Sequence, residues 1–184
     1  MTPCDDCALR LFNDKCHCLK GVGNPWSGKM IVVPNVDYQA YKNKDMTFSK
    51  YVEVINEVLI PSTGGLDCYI VPLIRCKLNE NCPIDNHLIR RCGVYLFTEM
   101  RIYNINKILL LGRAAELITP NAISKDVNKM FIGPGTLGRV YSVSYSPLVK
   151  YIDDNKYKEF CNHLVKWFNA DKYNNYDGFE IIKI

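Results

Sequence analysis

The sequence predicts a three-layer α/β/α fold built on a central four-stranded parallel sheet. Four short apolar runs, each long enough for one buried strand, alternate along the 184-residue chain with segments whose apolar residues recur at helical spacing. This alternation is typical of parallel strands with helices on both faces of the sheet. No repeat or linker interrupts it. We therefore expect one domain over residues 1–184, with residues 170–184 as a C-terminal extension.

The first half of the chain supplies two strands and two helices. Residues 29–34 (KMIVVP) are an apolar run after a Gly/Pro/Ser turn and predict the first strand. Residues 48–59 carry apolar side chains at helical spacing, and residues 66–74 predict the second strand. Asp85 is a suitable N-cap for a helix that runs to about Tyr103.

The second half repeats the alternation. Residues 107–111 (KILLL) predict the third strand, and Gly112 makes the turn into a helix that starts near Arg113. Residues 139–145 alternate and predict the fourth strand, and residues 153–168 predict a closing amphipathic helix. Ligands of such folds bind at the carboxyl ends of the strands. We expect the segments there to form one surface: residues 34–37, 75–78, 112–115 and 146–152.

The composition is that of a globular chain. It is 48% hydrophobic and 23% charged, with no apolar run long enough to span a bilayer and no signal peptide at the N-terminus, so we expect a cytoplasmic protein without membrane association. A net charge of +4 permits contact with nucleic acid but does not by itself indicate it. Abundant Asn, Lys, Ile and Tyr with little Ala indicates an AT-rich genome, such as that of a phage or a low-GC bacterium.

Nine cysteines in a cytoplasmic chain point to metal or cluster binding, because cytoplasmic thiols stay reduced. Cys4 and Cys7 form a Cys-x-x-Cys pair, which brings two thiolates onto one turn. Cys76 follows the second predicted strand, and Cys92 comes after fifteen intervening residues. From spacing alone, Cys76 and Cys92 are equally well explained as small buried apolar residues.

Zinc is the alternative metal. Cys16, His17 and Cys18 lie close enough in sequence to bind zinc together with Cys4 and Cys7. The three remaining cysteines are interpreted as packing or surface thiols: Cys68, Cys82 and Cys161.

A set of motifs in the same order and at similar spacing resembles the family 4 uracil-DNA glycosylases. The resemblance extends from Cys4 to about Phe168, and it implies a uracil-DNA-glycosylase-like fold. It also implies a 4Fe–4S cluster on Cys4, Cys7, Cys76 and Cys92. The motifs are Cys4-x-x-Cys7, Gly21-Val22-Gly23-Asn24-Pro25, Pro72-Leu73-Ile74-Arg75-Cys76, Tyr95-Leu96 and Leu111-Gly112-Arg113-Ala114-Ala115.

The catalytic motifs of that family are replaced in this chain. Pro34 stands where the family has the glutamate of its Gly-Glu-Ala-Pro-Gly loop, and it has neither a carboxylate nor a backbone N–H. Pro72 stands where an asparagine reads the edge of uracil, and Ser146 replaces the histidine that stabilises the developing oxyanion. We therefore expect a catalytically degenerate, cluster-binding protein, that is, a pseudoenzyme. The alternative is an active DNA glycosylase with altered base specificity, using Asn35, Asp37 and Ser146.

Contact with DNA is the expected remaining function, in a DNA-binding role or as a subunit of a replication or phage–host complex. In the family, the segment after the last strand inserts into DNA, and here it offers Lys150 and Tyr151. Phe48 matches the aromatic residue that stacks on uracil, although it equally suits the apolar face of a helix. Residues 173–184 could bind a protein partner or fold back onto the domain. The DNA-contact candidates are Phe48, Arg75, Lys77, Arg113, Arg139, Lys150 and Tyr151.

Overall fold

The protein is an α/β domain in this computed structural model. The structure describes residues 7, 9, 18–78, 84–118, 127, 129–132 and 138–170, and the backbone of residues 180–183. Cys4, Cys16, His17 and Cys82 therefore lie outside the described residues, as does most of the predicted C-terminal extension.

A single mixed sheet of seven strands runs through the described part of the chain, in the order β1-β3-β2-β4-β6-β5-β7. Its four central strands, β3, β2, β4 and β6, are all parallel. The strands are β1 (Val22–Gly23), β2 (Lys29–Val36), β3 (Tyr69–Lys77), β4 (Lys107–Leu111), β5 (Lys129–Ile132), β6 (Val140–Ser144) and β7 (Glu180–Lys183).

The α/β class is confirmed, but the prediction of a four-stranded, wholly parallel sheet is wrong. The central strands correspond to the four predicted ones, and three further strands extend the sheet at its edges. Strand β1 pairs antiparallel with β3, and β5 pairs antiparallel with β6. Strands β1 and β5 have only two and four residues, too few for a periodic apolar pattern to stand out in the sequence.

Four α-helices connect the strands in the described part of the chain, and a side-chain cap fixes where each of them begins; Asp37 caps α1. Ser49, Asp85 and Asp153 each accept a hydrogen bond from a backbone N–H of the first turn of α2, α3 and α4. The helix predicted from residue 48 therefore begins two residues later. The helices are α1 (Tyr38–Asn43), α2 (Lys50–Thr63), α3 (Asn86–Ile102) and α4 (Asp154–Asn169).

Helices cover both faces of the sheet. Along β2, Met30 and Val32 point into one buried apolar cluster together with residues of α3, while Ile31 and Val33 point into another together with residues of α2 and α4. This alternation is the period-2 pattern of a strand buried on both faces. Among the described residues, no helix has the length and apolar character needed to cross a bilayer.

The C-terminal tail contributes a strand to the sheet of its own domain. Strand β7 pairs in parallel with β5, with Met130 opposite Ile181 and Phe131 opposite Ile182. Of the two roles considered for residues 173–184, folding back onto the domain is the one seen for Glu180–Lys183.

Candidate cysteine centre and strand-end surface

The carboxyl ends of three central strands meet at one point. Gly112 follows β4 with φ of 55°, in the left-handed region that favours glycine. A Cβ atom built on Gly112 would lie 3.0 Å from Cβ of Ser146, after β6, and 3.5 Å from Cγ of Pro34, near the end of β2. The predicted convergence of these strand ends is confirmed. The ends are closely packed, and Pro34 is buried between them.

Asn35 and Tyr51 form a hydrogen-bonded pair beside this contact. The Asn35 amide donates to the carbonyl oxygen of Val36 at 2.9 Å, and its Oδ1 accepts from the Tyr51 hydroxyl at 3.4 Å. Burial, followed by the negative charge of Asp37, raises the pKa of Tyr51 to about 12. The Tyr51 hydroxyl therefore stays protonated as a donor, and both ends of the Asn35 amide are engaged.

Asp37 joins the N-termini of two helices. Its Oδ1 accepts from the N–H of Ala40 at 2.9 Å and so caps α1. Its Oδ2 accepts from the hydroxyl of buried Ser49 at 2.5 Å and from the N–H of Lys50 at 2.8 Å, at the start of α2. A carboxylate with three donors in this geometry has a structural role, because its lone pairs are directed at the protein backbone and Ser49.

We expect Asp37→Ala to lower the free energy of unfolding by about 2–4 kcal/mol, because it removes a helix cap and a charge-assisted hydrogen bond to a buried hydroxyl. Urea denaturation followed by circular dichroism measures this. Asp45→Ala is the matched control, since Asp45 is exposed and accepts only from Thr47 N–H in a short 3-10 helix. Equal losses in the two variants would show that Asp37 does not join the helices.

Ser146 is the third weak catalytic candidate, and it is also engaged locally. Its Oγ accepts from the N–H of Leu148 at 3.4 Å and caps the 3-10 helix Pro147–Tyr151. The three candidates therefore lie along one edge of the sheet, each in a hydrogen bond that shapes the backbone. Nothing in this arrangement presents a free carboxylate or an imidazole at the strand ends among the described residues.

Three of the four cysteines implied by the family resemblance lie in one buried cluster. Cys7, Cys76 and Cys92 are 5%, 4% and 8% exposed, and all three belong to the apolar cluster between the sheet and α3. Cys76 lies inside β3 rather than just past it, which corrects the predicted end of that strand. Cys4 lies outside the described residues, so the geometry of this cluster is that of the other three cysteines.

Cys18 is a further thiol at this place. Its Sγ lies 3.8 Å from Sγ of Cys76, and the adjacent Leu19 N–H donates to the carbonyl oxygen of Arg75 at 2.9 Å. That backbone hydrogen bond holds residue 18 beside the end of β3. Cys18 was predicted only as part of the zinc alternative, because its proximity to Cys76 depends on how residues 18–20 run along the strand.

Cys7, Cys76 and Cys92 have the buried setting of thiolate ligands, whereas Cys18 is exposed. Two sulfurs on one tetrahedral ion with bonds of about 2.3 Å lie about 3.8 Å apart, and the Cys18–Cys76 distance of 3.8 Å has this value. A 4Fe–4S cluster instead takes one thiolate per iron, which suits cysteines coming from three separate segments. Among the described residues, no three His, Cys, Asp or Glu side chains form a group able to hold a metal ion.

The other two described cysteines behave as packing residues. Cys68 is fully buried, and burial raises the pKa of its thiol to about 12. Cys161 is half-buried on α4, and burial raises its pKa as well. Both thiols are therefore protonated at neutral pH.

Three of the DNA-contact candidates lie around the outer face of α2. Phe48 is 55% exposed, so it does not belong to the buried face of the helix. Tyr151 is 58% exposed, and its ring lies 5.8 Å from Nζ of Lys150. Lys150 forms an ion pair with Glu57 of α2. Two exposed aromatic rings and a lysine are thus brought to one side of the domain.

The other four candidates are dispersed. Arg75 is buried, with its guanidinium held by Glu99 of α3 at 2.8 and 2.6 Å, so it does not lie on the outer surface. Arg139 precedes β6 and donates to the Ile105 carbonyl oxygen, which places it at the amino ends of the strands, opposite the predicted surface. Lys77 lies 5.1 Å from the Tyr41 ring, and Arg113 pairs with Glu116.

Similarity to known proteins does not supply a family. No protein-family model matches the chain, and no curated protein matches it. The likeness to family 4 uracil-DNA glycosylases therefore rests on the motifs in the sequence, and function has to be inferred from the residues themselves.

Proposed function

We propose that this protein is a catalytically degenerate, uracil-DNA-glycosylase-like iron–sulfur protein that binds DNA, as a DNA-binding or replication or phage–host complex subunit. The main observation against catalysis is the close packing of the strand ends. A Cβ atom added to Gly112 would lie within 3.5 Å of both Ser146 and Pro34, at the place where the family resemblance puts the base pocket. A base extruded from DNA needs an open, polar pocket at that place.

The replaced residues also lack the required chemistry. Hydrolysis of an N-glycosidic bond needs a group that positions water and a donor that stabilises the departing base. Asp37 is fully engaged at two helix N-termini, and Ser146 caps a 3-10 helix. The alternative, an altered base specificity through Asn35, Asp37 and Ser146, would require these hydrogen bonds to break during turnover.

The cysteine centre is proposed to be structural. Cys4, Cys7, Cys76 and Cys92 would hold a 4Fe–4S cluster, which when bound ties the N-terminal segment to β3 and α3. Thiolates of buried cysteines in an apolar shell are suitable ligands for it. Zinc is the second candidate, and the 3.8 Å distance between Cys18 and Cys76 favours it.

Metal analysis decides between the two centres. Protein purified without oxygen is expected to contain about four irons and four sulfides per chain, and Cys92→Ser should lose most of them. Cys161→Ser, which alters a half-buried thiol of α4, is the control that should retain them. Zinc in place of iron, or no metal at all, would contradict the cluster and with it the family 4 interpretation.

Uracil excision is expected to be absent. The cluster-loaded protein should release no uracil from single-stranded or duplex DNA under conditions in which an active uracil-DNA glycosylase completes the reaction. Loss of three catalytic groups removes several orders of magnitude in rate, since each typically contributes about a hundredfold or more. Steady release of uracil, or of any modified base in a panel, would overturn the pseudoenzyme proposal and support the altered-specificity alternative.

The proposed setting is the cytoplasm, or the host cytoplasm if the chain is phage-encoded. A thiolate centre of this kind is compatible with a reducing compartment. Binding to DNA through Lys150 and its neighbours should weaken as salt is added, because phosphate contacts release counterions. A protein partner could still bind the parts of the tail that lie outside the described residues.

A further inference from the structure

The outer face of α3 carries arginines and apolar side chains in one row. Arg90, Val94, Phe97 and Arg101 follow one another at helical spacing, which places them along one side of the helix. All four are exposed, Val94 to 50% and Phe97 to 42%. The two arginines are about 16 Å apart along the helix axis. This row, called the α3 ridge below, therefore has a cation at each end of an apolar centre.

The apolar surface extends beyond the ridge itself. Ile102, next to Arg101, is 57% exposed. A Cβ atom on Gly93 would lie 3.1 Å from Cδ1 of Leu117 and 3.7 Å from Cε2 of Phe97. Because Gly93 has no side chain, the half-buried Leu117 and the Phe97 ring both lie close against this part of the helix. An apolar area broader than a single side chain is thus left facing solvent.

The charge on this face is not neutralised by the described part of the chain. The side chains of Arg90, Arg101 and the adjacent Arg91 form no ion pair or hydrogen bond with another described residue. The single carboxylate of α3, Glu99, is directed inward and held by Arg75. The ridge therefore presents positive charge to a partner.

The helix is firmly held from its inner side. Leu88, Ile89, Leu96 and Met100 belong to the buried cluster between α3 and the sheet. A partner therefore meets a preformed surface, which lowers the entropy cost of binding. Helices α2 and α4 pack on the other face of the sheet, so the ridge is separate from the side that carries Lys150.

The chemistry of the ridge favours a protein partner. Exposed Val94 and Phe97 are stabilised by an apolar surface that covers them, and arginine and aromatic side chains are enriched in protein interfaces. A DNA phosphate backbone would pair with the arginines but leave Val94 in water. A second copy docked through the same face would bring arginines against arginines. A straight row of side chains on a helix instead packs into the groove of another helix.

We propose that the α3 ridge binds an acidic amphipathic helix of a partner protein, with carboxylates about three turns apart and apolar side chains between them. The inference rests on the complex-subunit part of the proposed function, and it names the surface and the chemistry of the partner. DNA and this partner would bind to different faces of the domain, so neither excludes the other.

A synthetic peptide tests this by fluorescence anisotropy. The probe is a labelled helical peptide of about 20 residues with two glutamates about three turns apart, leucines between them, and alanine and glutamine elsewhere. The control peptide has glutamine in place of both glutamates. We expect the glutamate peptide to bind about tenfold more tightly or better, and to lose this advantage as salt is added, because the arginines lie at the rim.

Paired variants locate the binding site. Arg90→Glu/Arg101→Glu should weaken binding of the glutamate peptide by about tenfold or more, and should bind a peptide with lysine at the two glutamate positions. Val94→Ala/Phe97→Ala should weaken both the glutamate and the glutamine peptide. The matched control is Lys42→Glu/Lys158→Glu, which changes the net charge equally at exposed lysines of α1 and α4 and should bind like the wild type.

Four outcomes would overturn the proposal, with circular dichroism reporting that each variant is folded. One is no binding of the glutamate peptide at about 100 μM. Another is equal weakening by the two charge-reversed variants, since net charge alone would then attract the peptide. Loss of oligonucleotide binding in Arg90→Glu/Arg101→Glu without peptide binding would assign the ridge to nucleic acid. A dimer that Phe97→Ala dissociates would assign it to a second copy.

The proposed function is tested separately. Uracil release, iron content and oligonucleotide binding of the wild type do not depend on the peptide. If the protein contained no iron or bound no DNA but still bound the glutamate peptide through Arg90 and Arg101, the ridge would stand and the iron–sulfur or DNA-binding proposal would fail.

Discussion

Arg75→Met is expected to lower the free energy of unfolding by about 3–5 kcal/mol. The Arg75 side chain is 6% exposed and forms two hydrogen bonds with Glu99, which is 17% exposed. Burial alone would lower the pKa of Arg75, but the hydrogen bonds and charge of Glu99 raise it overall. Removing the arginine leaves a largely buried carboxylate without its charged partner, with only the Tyr69 hydroxyl still donating to it at 3.4 Å, and that desolvation is the main cost.

Two controls separate this cost from the loss of a surface ion pair. Lys50→Met removes a pair with Glu53 in which both side chains are about half exposed, and it should have little effect on stability. The double variant Arg75→Met/Glu99→Leu should recover much of the loss, since no buried charge remains. If the single and double variants were equally unstable in urea denaturation, packing rather than an unpaired charge would be responsible.

Acid is expected to destabilise the protein through His163. Burial, followed by the positive charge of Lys166, lowers the pKa of His163 to about 4. The unfolded chain takes up this proton near pH 6.5, well before the folded chain does. The stability contributed by neutral His163 is therefore complete above pH 6.5 and falls as the pH drops toward 4, by about 2–3 kcal/mol at pH 4.5.

The comparison is between wild type and His163→Gln at pH 7.5 and pH 4.5. His163 Nε2 lies 3.1 Å from Ser142 Oγ, and that hydroxyl donates to the Lys129 carbonyl oxygen at 3.1 Å, so the ring donates from Nε2 in its neutral form. The variant has no titrating ring and should therefore lose less stability on acidification than the wild type. If the free energy of unfolding fell by the same amount in both proteins between pH 7.5 and pH 4.5, His163 would not titrate in this range.

Elements with a strong local signal were correctly predicted from the sequence. Residues 108–111 are an uninterrupted apolar run after Lys107, and β4 has the predicted bounds Lys107–Leu111. Asp85 and Asp153 were recognisable as helix starts because a carboxylate before an apolar-periodic segment can accept from the first-turn N–H groups, and both do so. Strands β1 and β5 were missed because they are short and pair with residues outside their own segments.

The roles of individual polar residues could not be predicted in the same way. Arg75 was expected at the DNA surface, and only the packing of α3 against β3 shows that Glu99 holds it inside. Asp37 was considered as a catalytic carboxylate, yet it joins two helices through Ser49 and Lys50. Such assignments depend on contacts between residues that lie 12 to 24 positions apart in the chain, and no local sequence pattern encodes these contacts.

The alternation of strands and helices, the absence of carboxylate, amide and imidazole groups at Pro34, Pro72 and Ser146, and the number of thiols can all be read from the amino-acid sequence. These properties follow from residue identity and local periodicity. Three features are seen only in the folded structure: the strand ends pack together around Gly112, Cys18 lies beside Cys76, and Phe48 faces an open groove. These depend on how distant segments pack, because burial and hydrogen-bond partners are set by the folded chain as a whole.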